Sequence, residues 1–198
     1  NAILVDGRST FGNGVRVPVM NEGGGREIPI FNELSASLAY ILTLYRHRPT
    51  MIKQLEQQID AYAEQQASER GRIGRDVRIL NCGSIKNVQI GDCAELIGVS
   101  RLKNGTINSN PQAPVYLGSG VKCTDFIIAS GVKIGDSTLV DKCFVGQGCV
   151  FDKHYSAGES LFFSNCQGMH GEACAIFAGP YTVTHHKSTL LIAGLFSF

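Results

Sequence analysis

The chain has 198 residues, 43% of them hydrophobic, with 18 lysines and arginines against 17 aspartates and glutamates. That balance leaves no basic footprint for nucleic acid, and no run of about 18 apolar residues offers a membrane span. The length suits one domain with one insertion, and neither a nucleic-acid nor a membrane partner is expected.

In chain order, residues 1–30 open on a six-residue pattern. A bulky apolar residue is followed by a small or acidic one, two free positions, a small or β-branched residue and a free sixth. Val5-Asp6-Gly7-Arg8-Ser9-Thr10 and Phe11-Gly12-Asn13-Gly14-Val15-Arg16 both obey it. This segment reads as one or two coils of a solenoid, ending in the loop Gly23-Gly24-Gly25. The glycine run lacks the strand, helix and lysine of a phosphate-binding loop, so flexibility accounts for it.

Residues 31–70 break the pattern. Leu34, Leu38, Ile41, Leu42 and Tyr45 keep helical spacing, as do Ile52, Leu55, Ile59 and Tyr62. Asn32 is the expected N-cap of the first helix, and Pro49 suits the start of the second. The segment is predicted to be an inserted helical hairpin packed locally on the coils.

Residues 71–198 return to coils. Apolar first positions recur at 73, 79, 85, 90, 96 and 102, and again at 117, 123, 128, 134, 140, 145 and 151. Steps of six shorten to five at 85–90, 123–128 and 140–145. Neither the two-residue period of a half-buried strand nor the 3.6 of a helix fits. The physical reading is three short strands per turn around a narrow prismatic core, each coil buried by its neighbours. Residues 103–116, rich in turn formers, are predicted to protrude as a loop. Seven cysteines without a Cys-x-x-Cys pair read as free thiols packed in a reducing, cytoplasmic setting.

From 164 onward the composition turns small and polar, and the stretch 164–188 looks functional. It holds Asn165, Cys166, His170, His185, His186, Lys187 and Ser188. Histidine is the side chain best suited to proton transfer near neutral pH, and adjacent histidines on a strand point to opposite faces. His170 and His154 are weaker candidates, and Cys166 is read as an inert thiol.

The repeat resembles the hexapeptide-repeat superfamily of left-handed parallel β-helices, which includes many acyltransferases and the tail domains of sugar nucleotidyltransferases. The words Asn32–Leu42, Ser100–Asn110 and Ala178–Gly194 resemble an uncharacterised bacterial family carrying a domain of unknown function with hexapeptide repeats. The resemblance spans the whole chain and implies a longer parent, in keeping with a start in mid-repeat and an apolar end.

It also implies a mainly β, left-handed parallel β-helix with an inserted helical hairpin, assembled as a homotrimer with grooves at its boundaries. The leading functional expectation is acyl (acetyl) transfer to a sugar or sugar nucleotide. Acetyl-coenzyme A would be a co-substrate, with no permanently bound cofactor. His185 or His186 would be the base, Asn165 would orient, and Lys187 and Ser188 would contact the coenzyme's phosphate. No metal is expected, because the histidine spacing departs from that of the γ-type carbonic anhydrases sharing the fold. Two rivals are a nucleotidyltransferase-like scaffold within a longer chain and a non-catalytic trimeric assembly or binding module.

Overall fold

The computed structural model describes residues 2–196. Its central feature is a parallel β-solenoid of about seven turns. Successive turns lie in register: Arg78 stands opposite Glu95 and Lys133 opposite Val150, so one coil takes 17 residues. Counted from the strands of one face, coils 1 to 7 begin at residues 78, 95, 116, 133, 150, 167 and 183.

In a 17-residue coil two sides take six residues and the third takes five. The five-residue side turns its corner on one residue in the left-handed region, namely Asn87 (φ 55°), Asn104 (φ 51°) and Asp125 (φ 52°) in coils 1 to 3. Asparagine and aspartate tolerate that conformation better than other non-glycine residues. They also stack, with Asn104 Nδ2 donating to Asp125 Oδ1 at 2.6 Å.

The three faces follow from this bend. The first face runs from 84–86 in coil 1 to Thr189–Leu191 in coil 7, with Ala2–Leu4 stacked before it. The second runs from 88–90 to Gly194–Leu195, and the third from Arg78–Leu80 to Val183–Thr184. On the first and third faces the middle residue of each strand points inward, and on the second face the two residues flanking the middle one do. Ile90, Leu96, Leu117 and Ile134, expected to share a spine, do so within one buried cluster. Each such side chain contributes about 1.5–3 kcal/mol on burial.

The spine changes character after Phe163. At the equivalent positions coils 6 and 7 carry Gly168, Ala173, Ala178 and Thr184. The space is filled from coil 5, where Phe151, Tyr155 and Phe162 pack with ring centroids 4.7 to 6.4 Å apart. A Cβ on Gly168 would lie 2.5 Å from the Tyr155 ring, so only glycine fits beneath it. The buried phenol meets the Thr184 hydroxyl at 3.2 Å, and burial pushes its pKa up to about 12. Gly105 makes the same room for Phe126. The coils therefore continue through the polar stretch 164–188.

Residues 5–31 differ from the coils expected there. Only Ala2–Leu4 joins a solenoid sheet, while Arg16–Pro18 and Glu27–Pro29 pair antiparallel as a separate hairpin. Val5 and Phe11 lie outside the spine cluster. The segment is a strap running lengthwise along the corner between the first and second faces. Asp6 N–H donates to Asn87 in coil 1, Gly12 N–H to Asn104 in coil 2, and Met20 N–H to the Ala175 carbonyl in coil 6. The pattern misleads because an apolar residue followed by glycine also suits a chain laid tightly against a corner.

Two helices follow, α1 (Ala36–Leu44) and α2 (Pro49–Gln66). Pro49 starts α2, but the cap of α1 is Ser35, whose Oγ accepts from Leu38 N–H at 3.2 Å. Asn32, the expected cap, instead accepts from Asn108 Nδ2 and donates its own N–H to Asn13 Oδ1. Leu42, Ile52 and Ile59 pack with Ile127, Phe144, Leu161 and Phe177, the outward side chains of the second face. That face is covered, whereas the first and third remain open. Among the described residues no helix is long and apolar enough to cross a membrane.

The expected 103–116 loop is shorter than its composition implied. Arg101–Ile107 is a strand, and the break is confined to 108–115. It lengthens one coil step to 21 residues, as between Asn104 and Asp125.

Candidate functional site

Four histidines turn the same corner, where the third face meets the first. His154 lies between Val150–Asp152 and Ser156–Gly158, and His170 between Gln167–Met169 and Glu172–Cys174. His185 and His186 lie between Val183–Thr184 and Thr189–Leu191. Coils 5, 6 and 7 thus each place imidazole on one edge, at a coil spacing of about 4.8 Å. The backbone explains part of this choice. His154 (φ 64°), His170 (φ 54°) and His186 (φ 62°) all occupy the left-handed region, which histidine enters more readily than most residues.

The turn of coil 7 has the most unsettled polar chemistry. His185 Nε2 and Ser188 Oγ are both buried without a hydrogen-bond partner among the described residues. An orphaned buried polar atom costs about 1–3 kcal/mol, and the other two among the described residues, Arg46 Nε and Thr138 Oγ1, lie apart in the sequence. The rings of His185 and His186 stand at 79° with centroids 6.0 Å apart. His186 and Lys187 are exposed, and Lys187 also has positive φ (59°).

Asn165 does not join them. It sits in the turn from the second face to the third, exposed, with its N–H donating to the Gln147 carbonyl at 2.8 Å. Within one copy it therefore cannot orient an imidazole at the opposite edge of the third face. Cys166 points inward, its thiol donating to the Gly179 carbonyl at 3.3 Å, away from exposed His170. All seven cysteines are free, and five are buried. Burial pushes the Cys123 thiol far up and the Cys143 thiol up to about 12, which makes both poor nucleophiles. Among the described residues no three of His, Cys, Asp or Glu converge as metal ligands.

The clefts lie elsewhere. The inserted 108–115 loop overhangs the third face and forms one of about 590 Å³, bordered by Asp76, Cys93, Glu95, Pro114, Tyr116 and Lys133. A second, of about 310 Å³, separates Asn32, Glu33 and Ser35 from Gln147 and Ser164. A third, of about 390 Å³, is apolar and lies between α1 and the end of the solenoid, against Ile41, Phe177 and Phe196. His185, His186, Asn165, Lys187 and Ser188 line none of these. The first cleft had one signal in the sequence, the long gap between the repeat positions at 102 and 117. In solenoids such insertions gather on a binding face.

A family model described as domain of unknown function (DUF4954) matches residues 1–198. An uncharacterized protein of Treponema pallidum (strain Nichols) is 28% identical over 134 residues, covering 67% of this chain and 18% of that protein. The chain thus spans about a fifth of the length of the curated relative it matches. No solved structure matches.

Proposed function

The chain belongs to the family described as domain of unknown function (DUF4954), and from that premise we propose that it is a transferase module of the hexapeptide-repeat type. The reaction is acyl transfer from acetyl-coenzyme A to a hydroxyl or amine of a sugar or sugar nucleotide. His185 Nε2 takes the proton from the acceptor, and the freed oxygen or nitrogen attacks the thioester carbonyl carbon. The carbon–sulfur bond breaks, and the coenzyme leaves as its thiol after receiving a proton. Lys187 offers its ammonium to a phosphate of the coenzyme, and Ser188 Oγ takes up a hydrogen bond it lacks in the free chain.

One observation carries this reading: the paired orphans, His185 Nε2 and Ser188 Oγ, in a turn on the edge between the two uncovered faces. A second copy laid against either open face turns that edge into a groove. Titration calorimetry with acetyl-coenzyme A is the test. Saturable heat at millimolar ligand or below is expected, with transfer to an acceptor falling about 10²–10⁴-fold in His185→Ala. Absence of heat at millimolar acetyl-coenzyme A overturns the proposal, as does full activity in His185→Ala.

A second reading, a non-catalytic binding or scaffold module of a longer protein, draws on a different observation. The largest cleft described, under the 108–115 loop, is bordered by none of the histidines. Ligand binding there without turnover is what it expects.

A further inference from the structure

The first face carries sorted charges. In coils 1 to 3 its outward side chains include Lys86, Arg101, Lys103 and Lys122, and in coils 4 and 6 they include Asp141 and Glu172. Among the described residues the ion pairs at this face are Lys86 with Asp6 at 2.6 Å and Lys142 with Glu159 at 3.0 Å. Arg101, Lys103, Lys122, Asp141 and Glu172 belong to neither. Arg101 also stands directly opposite Lys122 in register, and Lys86 opposite Lys103. Like charges opposed across neighbouring strands are destabilising, so the arrangement calls for an outside counter-charge.

The order of the charges indicates where it comes from. In the outward column that contains Leu139, the residues flanking it in coils 3 and 5 are Lys122 and Ser156. One coil farther out stand Arg101 and Glu172, and beyond them Ser84 and Thr189. The column is complementary to its own reverse. Leu139, 44% exposed, sits at its centre.

We propose that two copies of this chain pair through their first faces, antiparallel, about a two-fold axis passing beside Leu139. Arg101 of each copy then faces Glu172 of the other, and the two Leu139 side chains meet. Lys103 faces Cys174, whose thiol lies 3.9 Å from the Glu22 carboxylate. A parallel pairing exchanges the two outward columns at constant height and sets Arg101 on Lys103, so like-charge repulsion selects the antiparallel arrangement. Asp141 meets its own copy at the axis, which holds the affinity down. Seven strands at about 4.8 Å spacing, each about 10 Å long, offer roughly 300 Å² of flat face per copy. That is below a permanent interface, so the dimer is weak and salt-sensitive. The pairing rests on charge order alone and does not depend on the transferase reading.

Sedimentation velocity on the whole chain, in low and in high salt, tests it. Dimer is expected to form in the micromolar range at low salt and to dissociate in about 0.5 M sodium chloride. Arg101→Glu and Glu172→Arg, both exposed sites, each weaken association about tenfold or more, and the double reversal R101E/E172R restores it to within about threefold. Circular dichroism confirms that each variant is folded. A chain that stays monomeric at high concentration in low salt, a trimer, or a double reversal that fails to restore pairing overturns the proposal.

Discussion

Coils 1 to 4 and coils 6 to 7 have one backbone and two kinds of core. The first group stacks branched aliphatic residues, among them Ile90, Leu96, Leu117 and Ile134. The second has Gly168, Ala173, Ala178 and Thr184 at equivalent positions, filled by the aromatic rings of coil 5. A solenoid asks only that each layer be full, and a neighbouring layer is able to fill it. The outsides differ as well, with unpaired cations on the first face of the early coils and acids on the later ones.

The sharpest way to separate the two cores is to truncate the aliphatic one. Leu117 is fully buried, so Leu117→Ala loses the transfer energy of its side chain and leaves a cavity in a prism too narrow to collapse. About 2–5 kcal/mol of stability is expected to go, measured by urea denaturation. Thr184→Ala, at an equivalent position in coil 7, is expected to cost less, about 1–3 kcal/mol, since it removes one buried methyl and the hydroxyl that partners the buried Tyr155 phenol. Equal losses at the two sites would show one kind of core after all.

Legibility followed the same division. The period marks the coils wherever the inward residue is large and fades beyond Phe163, because glycine and alanine carry no periodic signal. It also placed Val5 and Phe11 on the spine, since corner-hugging chain and coil obey one local rule. The strap, the coverage of the second face and the exchange of Asn32 for Ser35 as helix cap all depend on contacts distant in sequence, Asn32 being engaged by Asn108. The site was legible as residue types and not as an arrangement. Nothing in the spacing of His154, His170 and His185 announces that coils of 17 and 16 residues bring them to one edge. Asn165, close to them in sequence, belongs to a different corner.

The aromatic filling has its own test, of intermediate size. Gly168→Ala puts a methyl within 2.5 Å of the Tyr155 ring, which its contact with Thr184 holds in place. Overpacking of this kind costs about 1–3 kcal/mol. Adding Tyr155→Leu to Gly168→Ala is expected to cost less than the sum of the two single changes, because the clash disappears with the ring. Strict additivity in a thermal-melt double-mutant cycle would mean that the ring does not occupy the space glycine leaves.

The smallest effect concerns the charges outside. The Asp141 carboxyl is held above its ordinary value of 3.8, first by burial and then by Asp125 and Glu159, with Lys142 and Arg101 pulling the other way. A carboxyl with a raised folded-state pKa binds its proton more tightly in the folded chain than in the unfolded one. Its contribution to stability is complete below the unfolded value and is lost as pH rises through the folded one. At neutral pH the ionised group is therefore a mild liability, and Asp141→Asn removes it. At high dilution, where the chain is monomeric, the substitution is expected to raise the melting temperature by no more than about 2 °C at pH 7. The gain shrinks as pH falls through the raised folded-state pKa, below which the native carboxyl is itself neutral. A gain that persists unchanged at pH 3 would trace to packing instead, and a loss at pH 7 would mean that Arg101 outweighs burial and the neighbouring acids.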